Sequence, residues 1–145
     1  MPSSTFAATA TAAVPVGEVW AALDEPDTWA SIGGVDRVFE PTIDAGGRLQ
    51  GFKFESVAGG RRYVGTATPR ERDEGRLMAW DIVNSEVRGV TRVELASGGA
   101  STAITVTLEV ESASMMSGLF FPVIAGVIGN GLPEAVAEFA ATFSG

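Results

Sequence analysis

The chain has 145 residues and a mass of 15.0 kDa, which suits one compact domain, expected here over residues 1–145. It contains no Cys and no His, which excludes a disulfide framework, Cys-zinc sites, a thiol nucleophile and every triad built on imidazole. Ten basic against 18 acidic residues give a net charge of −8, which argues against nucleic acid as a partner.

All ten Lys and Arg lie between Arg37 and Arg92, so the ends are acidic and the centre mildly basic. Solvated surface is the plain reading of that distribution. The adjacent Arg61 and Arg62 offer the alternative, a site for an anionic group. The N-terminal run Met1-Pro2-Ser3-Ser4-Thr5-Phe6-Ala7 has neither the basic start nor the apolar core of a secretory signal, so a cytoplasmic location is expected.

In chain order, residues 5–13 alternate weakly and predict a first strand. Val16, Val19, Trp20 and Leu23 then repeat at three- and four-residue spacing and predict a helix, with Pro15 at its start and Glu18 in its electropositive first turn. Asp24-Glu25-Pro26-Asp27 ends it and opens a second short helix carrying Trp29 and Ile32 on one side. From Val35 the period becomes two. Strands are expected over 35–43, 47–56, 62–70, 76–84, 87–96 and 100–111, separated mostly by Gly-rich or acidic turns. In the last of these, Ile104, Val106, Leu108 and Val110 alternate with Thr105, Thr107, Glu109 and Glu111, the pattern of a sheet with one buried and one wet face. In the strand before it, Val87, Val93 and Leu95 share one parity, which Val90 breaks. Six consecutive short strands with tight turns imply an antiparallel meander.

Residues 112–133 carry no charge, and Met115, Met116, Leu119, Phe120, Phe121, Val123, Ile124, Val127, Ile128 and Leu132 make the segment apolar nearly all round. A membrane span is disfavoured: no Lys or Arg flanks it, Gly and Pro interrupt it, and the apolar sheet face needs cover. The segment reads as a long C-terminal helix that is buried or contacts an apolar ligand on its second side. Pro133 predicts a kink or break around 129–133. Beyond it, Val136, Phe139 and Phe143 are expected to face inward, with Glu134 and Glu138 in solvent.

The order strand, two short helices, six strands, long helix goes with a local signature: Pro15, then Val19-Trp20-Ala21-Ala22-Leu23, the turn Asp24-Glu25-Pro26-Asp27, and Trp29. Together they resemble the START/Bet v 1-like (SRPBCC) superfamily, and Ser31-Ile32-Gly33-Gly34-Val35 looks like that superfamily's entry into its second strand. Within it, the chain looks most like polyketide cyclase/dehydrase-like proteins and proteins similar to the G-type subunit of carbon monoxide dehydrogenase. The resemblance covers essentially the whole chain. It implies an α+β helix-grip fold, in which a curved antiparallel sheet wraps the C-terminal helix around an apolar cavity. The Gly- and Pro-rich last helix departs from the smoother family pattern.

No catalytic motif is recognisable. Ser residues lack a His partner and a nucleophile elbow, and the Gly-Gly pairs are not phosphate loops. Carboxylates are too scattered for calcium, so no metal and no cofactor are expected. Candidate ligand-binding residues are Trp80, with Met78 on the same strand parity, Tyr63, and Met115, Met116, Phe120 and Ile124 in or before the last helix. For Trp80 and the Met and Phe residues, core packing is the competing reading. Asp81, opposite in parity to Trp80, is expected in solvent.

Two functions follow. The first is binding or transport of a lipophilic small molecule, lipid-, quinone- or polyketide-like, without chemistry. Transient contact with a membrane surface is compatible with it, and no oligomeric state is specified. The alternative is a polyketide cyclase/dehydratase-type enzyme, whose proton transfers would fall to Tyr63, Asp81, Glu55, Arg61 or Arg62.

Overall fold

The computed structural model describes residues 3–33, 35–58, 60–85, 87–112 and 121–143. The elements, in order, are β1 (Ser3–Ala12), α1 (Val16–Ala22), α2 (Pro26–Gly33), β2 (Arg37–Ile43), β3 (Leu49–Ala58), β4 (Arg61–Asp73), β5 (Leu77–Val83), β6 (Val87–Ser97), β7 (Thr102–Ser112) and α3 (Phe121–Ala141). The strands form one antiparallel seven-stranded sheet in the order β1-β7-β6-β5-β4-β3-β2. This is the α+β helix-grip arrangement: the chain runs along one edge, crosses through α1 and α2 to the other edge, and meanders back.

The alternation in β7 becomes the two faces of the sheet. Ile104, Val106, Leu108 and Val110 are buried, while Thr105 and Thr107 are partly exposed and Glu109 and Glu111 are exposed. α3 lies against β1, β7 and α2, so the buried parity of β7 is the inner face. Val93 pairs with Met78 and Val106, and Leu95 with Ile104, which carries that face across the meander. At the β1 edge, Ala8, Ala10 and Ala12 sit opposite Val106, Ile104 and Thr102. Small side chains there leave room for the helix.

α1 buries Val19 and Trp20, and Leu23, which caps it, is fully buried. In α2, Trp29 and Ile32 are buried as their spacing predicts. The indole N–H of Trp29 donates to the Leu23 carbonyl at 2.8 Å, fixing the angle between the two helices. The buried Thr102 hydroxyl donates to the Val14 carbonyl at 2.9 Å, pinning the chain where β1 turns into α1.

The edge strand β2 is irregular. Its register shifts between Phe39 and Thr42, and Glu40 has φ 47 just before Pro41. A bulge and a proline on an open edge block pairing with another chain. Lys53 holds the Glu40 carboxylate at 2.8 Å.

Of the kink or break expected around 129–133, the break needs correcting, because α3 continues through Pro133. Proline removes one amide donor from the ladder. Leu132, Val136, Phe139 and Ala140 are all buried, and that packing holds the helix together on both sides of the lost bond. Phe143 packs edge-on against Phe139, with ring centroids 5.2 Å apart. Among the described residues no helix is long and apolar enough to cross a membrane.

Candidate ligand-binding site

The inner face can be followed strand by strand from the register. Phe52 and Phe54 of β3 pair with Ala67 and Gly65 of β4, and Ser56 pairs with Tyr63. Ala67 pairs with Ile82, and Ile82, Trp80 and Met78 of β5 pair with Gly89, Thr91 and Val93 of β6. Side chains two apart share a face, so Tyr63, Met78, Trp80 and Thr91 all sit on the face that α3 covers. Apolar side chains dominate this face, with Ser4, Ser56, Tyr63, Thr91, Thr102 and Ser112 among its polar members. The ionised side chain that the register brings to it is Arg72, opposite Met78, and Asp24 and Glu74 hold that guanidinium.

One end of this space is walled by aromatic rings. Trp80 meets Trp29 edge to face at 5.8 Å and Phe52 at 5.3 Å, and Phe52 stacks with Trp29 at 6.3 Å. Met78 beside it is 2% exposed and Trp80 is 1% exposed. The tilted rings fit the preference of aromatic quadrupoles for edge contacts. Gly65 makes the Phe54 ring position available, because a Cβ there would collide with the tip of that ring and lie 2.7 Å from the Val83 carbonyl.

The chain's three Trp residues differ in what their indole N–H groups meet. Trp20 donates to Glu74 Oε2 at 2.8 Å, and Trp29 donates to the Leu23 carbonyl. The Trp80 N–H is buried and has no acceptor among the described residues.

Tyr63 is partly buried near the other end of the sheet, where Ser56, Ile82 and Ser4 are also partly buried. Met115, Met116 and Phe120 lie outside the described residues. Ile124 belongs to α3, and its side chain lies outside them as well.

The acidic candidates point away from this space. Asp81 is on the outer face and accepts from Arg70 Nη1 at 2.9 Å. Glu55 is on the outer face between Arg37 and Arg62, each 2.7 Å away. Hydrogen bonds from Arg37 and then Arg62 hold its carboxyl below the usual range. Arg62 is thereby paired, which removes half of the Arg61–Arg62 anion site, and the Arg61 side chain lies outside the described residues. An open depression of about 540 Å³ lies on the outer face, walled by Thr5, Asp81, Val83, Arg88 and Glu109 among others. Neither Trp80 nor Tyr63 lines it, and its paired charges suit solvent better than an apolar ligand. Among the described residues no three acidic side chains gather to hold a metal ion.

Sequence reasoning missed Phe52, Phe54, Ser56 and Thr91. Phe52 and Phe54 alternate with Lys53 and Glu55, which is a legible signal. Thr91 was legible too: it shares the parity of Val87 and Val93, so the polar residue faces inward and Val90 outward.

This fold and apolar inner face agree with a family match that spans residues 3–143. The chain belongs to the polyketide cyclase/dehydrase and lipid transport family. It has a similar structure to a START superfamily protein from Mycobacterium smegmatis, at 14% identity, 95% of this chain, 97% of that one and a TM-score of 0.72. The Zhui aromatase/cyclase from Streptomyces sp. R1128 is similar at 15% identity, 99% and 97% coverage and a TM-score of 0.73. Norcoclaurine synthase from Thalictrum flavum is similar at 13% identity, 99% and 87% coverage and a TM-score of 0.65. At these identities the likeness is one of fold. No curated protein matches the sequence. Family and fold together make the chain a START/polyketide cyclase-like ligand-binding domain.

Proposed function

We propose that this domain binds or carries a lipophilic small molecule, lipid-, quinone- or polyketide-like, between the inner sheet face and α3, without transforming it. The observation that carries this reading is where the charges sit. The described inner face offers apolar walls, a few hydroxyls and an arginine, Arg72, already tied to Asp24 and Glu74, while Glu55 and Asp81 point outward and are held by arginines. A binding cavity needs shape, apolar area and a few polar anchors. A cyclase needs groups that take and give protons at the substrate. The proposed contacts are Trp80, Tyr63 and Met78 from the sheet and Met115, Met116, Phe120 and Ile124 from the other wall. The proposed setting is a single domain in the cytoplasm, touching membrane surfaces transiently to exchange cargo.

The test is to incubate the purified protein with a total lipid extract, wash it, and identify retained molecules by native mass spectrometry. Retention of one apolar class, recovered chemically unchanged after long incubation, is the expected result. Conversion of the retained molecule to a product of different mass or absorbance overturns the carrier reading in favour of the cyclase/dehydratase.

A further inference from the structure

Folded proteins rarely leave a buried N–H without an acceptor, and each such case calls for an explanation. Here two of the three indoles are satisfied by the protein itself, at 2.8 Å each. The third, on Trp80, is 1% exposed, lies on the inner face, and has no acceptor among the described residues. Its ring is clamped by Trp29 and Phe52, so the donor cannot swing out to solvent. The register places the Thr91 hydroxyl-bearing side chain directly across from it.

The charge inventory narrows what could meet that donor. Arg72, the ionised side chain that the register brings to the inner face, is already held by Asp24 and Glu74, and residues 112–133 contain no charged residue in the sequence. An ionised ligand group placed there would be desolvated without a free counter-ion, at large cost. A pure hydrocarbon would strand the indole N–H, which costs more than an ordinary hydrogen bond gains.

We infer that the ligand is an uncharged lipophile bearing a hydrogen-bond acceptor, a ketone or quinone-type carbonyl, and that the Trp80 indole N–H is the donor that selects it. This rests on the cavity reading proposed above and adds the ligand's chemistry to it.

The experiment uses three probes of nearly one shape: 2-acetylnaphthalene, 2-isopropylnaphthalene and 2-naphthoate. Each is titrated into protein labelled with ¹⁵N at the indole nitrogens, which gives three indole N–H signals. The ketone is expected to bind about tenfold more tightly than the hydrocarbon, as one satisfied hydrogen bond implies. It should shift the Trp80 signal downfield, with those of Trp20 and Trp29 nearly still. In Trp80→Phe the ketone-to-hydrocarbon ratio should fall towards one. If that variant fails to fold, the wild-type indole shift still decides.

Equal affinity for ketone and hydrocarbon, or a Trp80 signal unmoved by bound ketone, overturns the proposal and leaves the cavity reading standing. Preference for 2-naphthoate also overturns it, and points to Arg61 at the start of β4. If none of the three binds up to its solubility, both the proposal and the cavity reading fall.

Discussion

Arg72 grips the Asp24 carboxylate through two parallel hydrogen bonds, Nη1 to Oδ1 and Nη2 to Oδ2, each 2.9 Å. Asp24 also accepts from the Leu49 amide at 3.1 Å. The same guanidinium reaches Glu74 at 2.6 Å and lies over the Trp20 ring at 5.3 Å. The turn after α1, the start of β3 and the β4–β5 hairpin are thus fastened at one point. Asp24 first, then Glu74, raises the Arg72 pKa further above its ordinary value, against the opposing effect of burial. The Arg72 and Asp24 side chains are only 20% and 19% exposed, so this pair is less screened than a surface ion pair. Asp24→Ala should destabilise by about 1.5–3 kcal/mol, the range for hydrogen bonds to charged partners. Arg72→Met, which keeps much of the stem packing, should cost less. Urea unfolding followed by Trp fluorescence checks both, and a loss within error for Asp24→Ala would refute the fastening role.

The carboxyls of Glu74 and Glu55 give the chain an acid dependence. Hydrogen bonds from Arg72 and then Trp20 hold Glu74 below the usual carboxylate range, and Arg37 and then Arg62 do the same for Glu55. A carboxyl with a depressed folded pKa contributes stability that is fully present above its unfolded value. That contribution is lost as pH falls through the folded one. The melting temperature should therefore be insensitive to these groups near neutrality and begin to fall below about pH 4.5, where the unfolded chain starts to take up protons first. The double variant Glu55→Gln/Glu74→Gln should melt lower at neutral pH and show a shallower acid decline. Parallel acid profiles for wild type and double variant would contradict this.

Leu108 tests the sheet's inner face. It is 7% exposed, between Phe6 of β1 and Thr91 of β6. Leu108→Ala should cost about 2–5 kcal/mol through lost burial and a residual cavity. Thr107→Ala on the opposite parity should change stability by less than about 0.5 kcal/mol. Equal effects of the two changes in chemical denaturation would mean the parity has no energetic meaning.

Gly65 and Phe54 make a more local prediction. Any side chain at Gly65 would meet the Phe54 ring and the Val83 carbonyl. Gly65→Ala should destabilise by about 1–3 kcal/mol through overpacking. Adding Phe54→Leu should recover only part of that, because the backbone carbonyl cannot move aside as a ring can. Full recovery in the double variant, measured by thermal melts, would show that the carbonyl contact carries no cost.

Much of this architecture is written in local periodicity. The alternation of Ile104 to Val110 with Thr105 to Glu111 set both faces of β7. The Val16-to-Leu23 spacing placed α1, with Val19 and Trp20 buried as it required. Contacts between distant positions were not legible in this way. Asp24 and Arg72 are 48 residues apart and Trp20 and Glu74 are 54 apart, and no spacing in the chain links them. Pro133 read as a helix breaker because local propensity cannot see the burial of Leu132 and Val136 that holds α3 together. For the site, the parity of Trp80 and Asp81 was readable. The lack of an acceptor for the Trp80 N–H was not, because satisfaction depends on every neighbour in space.

Tyr63 separates carrier from enzyme. It is the tyrosine of the inner face, with a phenolic proton to give, and it stands across from Ser56. If the domain only binds, affinity comes mainly from buried apolar area. Tyr63→Phe should then change the affinity of a retained ligand by less than about tenfold, one hydrogen bond at most. If the domain is a cyclase, removing a proton-transfer group should lower the rate by about 10²–10⁴ while binding changes little. Wild type and Tyr63→Phe are incubated with the retained ligand or a linear polyketide mimic, and mass and absorbance are followed over days. Unchanged ligand with both proteins is expected, since Glu55 and Asp81, the remaining acids of the cyclase reading, are tied to arginines on the outer face. Turnover by wild type that disappears in Tyr63→Phe would make Tyr63 a catalytic residue and the protein an enzyme.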